Sequence, residues 1–378
     1  MSEIRVNTLG NESNTGGPVL SGITTFSGQQ YFIPPTGTTA QSPSGCPPGS
    51  IRFNTDTAHL EYWNGLVWLE FEASSEELGD QNNTNSTGGT GHRGLFHIGY
   101  NGSRLNTVEY VTISTLGNAQ DFGDLTVDRS GSLSCSSRIR ALFACGMGPN
   151  ASAADTNIID FFTISSTGNA QDFGDRTITA RDSDGFSNQT RGCFAGSNGG
   201  SDVIDFVTIS QTGNAVDFGN LSTGRSGVGA FASSIKGIIS GGSGPSNIID
   251  YVTISTQGNA QDFGDLITSV ANTSGLSNAV RGVIGGGESP SATNVIQFIT
   301  IATNGNSQDF GDLTVARGQY SATSSSVRGV FARGYGAPAG INVMDYVQIM
   351  STGNARDFGD LLTAGWTGGS CSNGHGGL

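Results

Sequence analysis

Positive charge, sulfur and long apolar runs are all scarce in this sequence. Lys and Arg total 17 in 378 residues against 31 Asp and Glu, a formal net charge of −14. A nucleic-acid binder needs a basic face to neutralise phosphates, so that class is excluded. No stretch is long and apolar enough to span a bilayer, and Met1-Ser2-Glu3-Ile4-Arg5 lacks the apolar run of a secretory leader. The chain is therefore expected to fold in a cytoplasm and to insert in no membrane. The five cysteines, Cys46, Cys135, Cys145, Cys193 and Cys371, show no C-x-x-C spacing and are odd in number. They read as buried small hydrophobes rather than as a disulfide framework or metal site. Four histidines, His59, His92, His97 and His375, stand in no H-E-x-x-H or triad-like context. No catalytic constellation stands out, so no enzymatic activity, cofactor or metal is expected.

Glycine is what the chain has in excess, with 59 residues. Many short strands joined by tight turns need such residues. The segment Gly117-Asn118-Ala119-Gln120-Asp121-Phe122-Gly123-Asp124 returns five more times, its Asp-Phe-Gly core starting again at Asp172, Asp217, Asp262, Asp309 and Asp357, at intervals of 45 to 51 residues. An apolar strand precedes each copy, as in Ile159-Asp160-Phe161-Phe162-Thr163-Ile164. A strand led by a basic residue, Arg93, Arg140, Arg191, Lys236, Arg281 or Arg328, precedes that in turn. A Ser-rich segment comes before the basic residue in five of the six units. Each unit thus reads as four strands, a to d, and four-stranded units of this length are blades of a β-propeller. The first unit lacks strand a, while Trp366 to His375 fits one. The C-terminal strand is expected to pair beside Leu95 and close a six-bladed ring with no open edge.

The order of these landmarks, with a glycine-rich end of strand b such as Gly285-Gly286-Gly287, is similar to kelch-type repeats, and the fold class is all-β, a six-bladed kelch-like β-propeller. The kelch Trp of the last strand is replaced by Phe122, Phe173, Phe218, Phe263, Phe310 and Phe358, which are expected to fill the gaps between blades. The Asp residues of the repeat could bind a hard cation, but their spacing matches no loop motif. The six basic residues are expected to ion-pair with the Asp that opens strand d; an anion site at the channel mouth is the alternative.

Before the propeller (residues 92–378) lie a polar linker, 73–91, and an N-terminal module, 1–72. Within the latter, Leu60-Glu61-Tyr62-Trp63-Asn64-Gly65-Leu66-Val67-Trp68 carries a hairpin signal, Asn-Gly between aromatic β-prone runs. The opening Ser2-Glu3-Ile4-Arg5-Val6-Asn7-Thr8 and the segment from Gly49 to Phe71 resemble N-terminal regions of tail-fibre and other virion structural proteins of phages, cyanophages especially. The resemblance implies an attachment or oligomerisation module that joins other virion proteins, a homo-oligomer in which a trimer is possible, and a place in the virion. The b–c loops differ from blade to blade, and loops on a rigid scaffold are where recognition sits. Tyr100, Asn101, Met147, Asn150, Asn198, Pro245, Glu288 and Tyr335 are the candidate binding residues. The function expected is a virion structural protein that displays a propeller toward a host-surface glycan; an enzyme acting on glycans is the alternative.

Overall fold

The computed structural model describes residues 34–57, 59–70, 92–149, 153–336 and 339–378, in two units, Met1–Ser75 and Glu76–Leu378. Asn150 and the linker lie outside the described residues. In the first unit the Asn64-Gly65 hairpin joins strands His59–Trp63 and Trp68–Glu70. It belongs to a larger sheet, since Ile51–Asn54 pairs antiparallel with the first of these and Thr36–Gly37 adds a short parallel edge. Arg52, Asn54 and Glu61 are buried on one face, where Arg52 donates to the carbonyls of Gly37 and Thr38 and Asn54 Nδ2 donates to Glu61 Oε1 at 2.7 Å. The opposite face leaves Ile51 and Leu69 open to solvent.

The second unit is a β-propeller of six four-stranded antiparallel sheets. Blade 2 shows the pattern: strand a Leu133–Ser136, strand b Arg140–Met147, strand c Asp155–Thr163 and strand d Gln171–Ala180. Strands a lie innermost, each against its two neighbours all the way round. Blade 1 takes strands b, c and d from Arg93–His97, Leu105–Thr112 and Gln120–Arg129, and its strand a from the other end of the chain, Ser370–Ser372, with Cys371 opposite Leu95.

The repeated eight-residue segment is self-complementary, which accounts for its near identity in every blade. Gly168 N–H donates to Phe122 O and Ala170 N–H to Asp124 O, each at 2.8 Å, while Asn169 Oδ1 accepts from Asp124 N–H at 3.2 Å. The same three bonds recur at every interface, including the closing one, where Gly117, Ala119 and Asn118 dock on Phe358 and Asp360. Each copy is a plug for the blade before it and a socket for the blade after. Gly123 has φ +143°, and a Cβ there would lie 2.3 Å from Gly168 O, so only glycine permits the approach. Phe122, Phe173, Phe218, Phe263, Phe310 and Phe358 are all buried, each edge-on to the aromatic ring of strand c in its own blade, 5.5 to 6.2 Å between centroids.

The basic residues do not pair with the Asp that opens strand d, and that expectation is corrected. Strand c lies between strands b and d, and its aromatic ring occupies the intervening space. Each cation stacks on that ring instead, 4.3 to 4.9 Å from the centroid. It then donates to a carbonyl in the next blade: Arg93 to Ile164 at 2.9 Å, Arg191 to Ile254 at 2.9 Å, and, across the closure, Arg328 to Ile113 at 2.9 Å.

Carboxylates are instead neutralised on strand c, deep between blades. Asp160, Asp205, Asp250 and Asp345 are fully buried, and each meets a buried Arg from the preceding blade: Arg129 at 3.0 Å, Arg176 at 2.7 Å, Arg225 at 2.9 Å, and Arg317. Each also accepts from the backbone and hydroxyl of a Thr or Ser, such as Thr126 or Ser222. Where Ile267 replaces that hydroxyl residue and Val270 replaces the Arg, the acceptor is neutral Gln297, whose Oε1 takes Ile267 N–H at 2.7 Å. Where Leu362 does so, Glu109 reaches its N–H at 2.7 Å, with Arg333 supplying the positive charge. Charge is thus balanced interface by interface, as burial demands.

Around the axis, Ser136, Ser277, Ser324 and Ser372 each donate a hydroxyl to a carbonyl of the preceding blade's strand a, at 2.5 to 2.7 Å, and Ser187 does the same to Ser136 O at 2.7 Å. Only Ala232 interrupts the circle. Past Ser372 the chain starts no new strand; residues 373–378 turn across the end of the axis on the side of the a–b turns. Gly376 N–H donates to Ser277 O at 3.0 Å, and Arg138 reaches Leu378 O at 3.4 Å. His375 Nδ1 accepts from Gly377 N–H at 3.1 Å, so its proton sits on Nε2 and is donated to Ser136 O at 3.1 Å.

Burial pushes the His375 pKa down to about 4 and that of His97 down to about 3. The unfolded chain protonates histidine near about 6.5. These two groups therefore contribute stability that is complete above about pH 6.5 and is lost as pH falls through the folded values. Asp184, pushed up to about 7 by burial, acts with the opposite sign, its contribution falling as pH rises from about 4 to about 7. Comparing a variant with its parent removes that overlap. His375→Asn should flatten the acid limb of stability by up to about 2 kcal/mol between pH 6.5 and 5, read from urea midpoints at the two pH values. An unchanged slope would mean that the imidazole is not held neutral.

Candidate functional site

The b–c and d–a loops emerge on the face opposite the tail. Asn101, Asn198 and Pro245 are exposed there on three different blades, and Met147 Sδ accepts from Arg104 of blade 1. Tyr100 and Tyr335, from blades 1 and 6, are brought together by Trp366, whose ring centroid lies 5.1 Å from the first and 5.6 Å from the second. Trp366 was expected in strand a. It lies instead in the d–a loop, where it exchanges backbone hydrogen bonds with Tyr100, each 3.0 Å long. All three rings are partly exposed, so the face carries an aromatic cluster at its rim.

Beside this cluster the propeller axis opens into a cup of about 210 Å³ lined by two residues from each d–a loop. The first of each pair, Gly131, Asp182, Gly227, Asn272, Gln319 and Thr367, has φ between 51° and 73°. Their backbones form a closed circle. Gly131 N–H donates to Thr367 O, Thr367 N–H to Gln319 O at 2.9 Å, Gln319 N–H to Asn272 O at 2.9 Å, Gly227 N–H to Asp182 O at 2.6 Å, and Asp182 N–H to Gly131 O at 3.0 Å. Thr273 N–H to Gly227 O at 3.4 Å completes it. Four of the six are not glycine, and left-handed backbone costs each about 1 kcal/mol or more. The strain is held in place by the circle of bonds, and it raises the side chains of Asp182, Asn272, Gln319 and Thr367 at the mouth of the axis.

Glu288, a predicted loop residue, sits behind this rim. Its two oxygens accept from Asn272 Nδ2 at 2.9 Å and Gln319 Nε2 at 3.3 Å. Asp182 lies 3.3 Å from Arg181 Nε, and burial raises its pKa. The second residue of each pair closes the floor, where Tyr320 is buried and its phenol is pushed up to about 12. Ser132 Oγ, also on the floor, stands 2.7 Å from His97 Nδ1, and His97 Nε2 donates to Leu105 O at 2.9 Å. This has the polarity of a nucleophile and its base. An imidazole with a pKa near 3 is too weak a base for that task near neutrality, and the pair instead ties blade 1 to the C-terminal strand through His97 N–H to Gly369 O at 3.0 Å. Among the described residues no group of three or more His, Cys, Asp or Glu side chains could hold a metal ion.

The d–a ring escapes a reading that looks for variable b–c loops. Its only signal in the sequence is that Gly, Asp, Asn, Gln or Thr stands two or three residues before the start of strand a, a turn-forming choice at a nearly fixed place. No protein-family model matches the chain, and no curated protein matches it in sequence.

Proposed function

We propose that this chain is a non-catalytic glycan-binding structural protein of a phage particle, anchored by its N-terminal module among other virion proteins in several copies. The observation that carries the binding reading is the union, at Trp366-Thr367, of an aromatic cluster with a cup of polar side chains. Sugar rings present apolar faces that stack on aromatic rings and hydroxyls that bond to amides and carboxylates, so the two halves suit one ligand class. The rigidity of both supports it further, since preorganised groups bind without an ordering cost. The virion assignment rests on the resemblance of residues 2–8 and 49–71.

Immobilised protein challenged with bacterial envelope polysaccharides should retain some of them without releasing oligosaccharides. Trp366→Ala should weaken retention at least about tenfold while leaving the melting temperature near that of the parent. Release of oligosaccharides would instead make the chain an enzyme, and retention indifferent to Trp366 would move the site elsewhere.

A further inference from the structure

We infer that the cup selects a cationic amine, carried on the bound glycan as a protonated amino sugar; this rests on reading the face as a glycan site. The inference comes from counting where the protons go. A hydroxyl can donate once, and each hydroxyl that lines the cup has already done so inside the protein. Ser132 donates to His97 Nδ1, Ser183 to Ala195 O, Thr273 to Gly285 O, Tyr320 to Ser274 O and Thr367 to Trp366 O. The backbone N–H groups of Gly131, Asp182, Gly227, Gln319 and Thr367 are spent within the circle, where Thr273 N–H takes the place of that of Asn272.

The amides are fixed in the same sense. An ionised carboxylate only accepts, so the atoms that Asn272 and Gln319 turn toward Glu288 are their NH2 groups, and their carbonyl oxygens point the other way. Asn272 Oδ1 stands 2.7 Å from where a Cβ on Gly227 would be, and Asp182 Oδ1 stands 2.5 Å from where one on Gly131 would be. The two glycines thus leave room for two acceptor oxygens above the ring. What the cup offers is chiefly lone pairs, with the negative charges of Asp182 and Glu288 at its edge; Arg181 stands beside the first, and Arg333 is held beneath the floor, bonded to Gly368 O. Such a rim favours a ligand that brings its own protons. A primary ammonium, with three protons, no lone pair and one positive charge, fits it best. The volume, small beside sites for drug-sized molecules, suits one such group.

The test is calorimetric titration of the whole chain with D-glucosamine, N-acetyl-D-glucosamine and D-glucose at mildly acidic pH, where the free amine is protonated. A fourth titration uses calcium chloride. Glucosamine should bind about tenfold or more tighter than the other two sugars. Asp182→Asn, which keeps a residue that tolerates left-handed backbone, should abolish that preference, and Glu288→Gln, by freeing the amides to turn, should reduce it. Melting temperatures near the parent value identify both variants as folded. Equal binding of all three sugars would overturn the inference and leave the glycan reading intact. Calcium binding that is lost in Asp182→Asn, without any preference for glucosamine, would overturn it in favour of a metal. If neither the sugars nor the polysaccharides are retained, the glycan reading fails first and the inference with it.

Discussion

Replacing Asp250 with alanine should lower the unfolding free energy by about 3–5 kcal/mol, read as a shift in urea midpoint at constant slope. The carboxylate accepts from Arg225 Nη1 at 2.9 Å and from Ser222 through both N–H and hydroxyl, at 3.2 and 2.7 Å, with none of it in contact with water. Its loss strands a buried guanidinium, the costliest outcome available to a single substitution here. The molecule already contains the apolar version of the same joint, between blades 4 and 5. Copying it with Ser222→Ile, Arg225→Val, Asp250→Gln and Ala260→Ser, the last to supply the hydroxyl that Ser307 gives Gln297 at 2.8 Å, should return stability to within about 1 kcal/mol of the parent. A single substitution costing under about 1 kcal/mol would mean that water enters the joint and screens the charge.

Deleting residues 370–378 should have a larger effect than any substitution: loss of the single cooperative transition and association of the chains. Without Ser370–Ser372 the strand Arg93–His97 becomes an open edge, and the hydroxyls of Ser134 and Ser136 lose the carbonyls of Ser370 and Ser372 as acceptors. An unpaired edge recruits another chain. Calorimetry and light scattering after size exclusion read the two effects. A synthetic 370–378 peptide should reverse both by mass action. A truncated protein that keeps the parent's size in solution with an unchanged melting curve would show that the plug-and-socket contacts hold the ring shut unaided.

The architecture was legible because its signals are periodic. Strand order, blade number and the pairing of the C-terminal strand beside Leu95 follow from landmarks that recur in each unit and from the strand a that the first unit lacks. The role of each residue within that segment was harder to read, because Asn169 and Asp124 meet across blades, 45 positions apart. Arg129, Arg225 and Arg317 each stand eight residues after the Asp that opens strand d, but Arg176 and Arg333 do the same job from two other places in the blade, so aligning the copies brings only three of the five into register. The expectation for Arg93 and its counterparts failed for a related reason. Strands b and d start at the same face of the propeller, but strand c stands between them and offers its aromatic ring. Of the loops expected to bind, Tyr100, Tyr335 and Glu288 meet the site, while the residues at its centre sit in short turns whose variation looks trivial until their backbones close a circle.

The matched substitutions at Ile267, Val270 and Gln297 make the blades non-interchangeable. Their plugs and sockets would accept any sequence of modules, yet moving the strand that bears Gln297 behind the blade that bears Arg129 would bury a cation opposite a neutral amide. The joints therefore work as keyed connectors of a few kinds, each tolerating neighbours of its own kind. A shuffled or duplicated module is admitted only together with its partner, which makes adjacent pairs of half-blades, rather than whole blades, the units in which such a ring can be rearranged or lengthened.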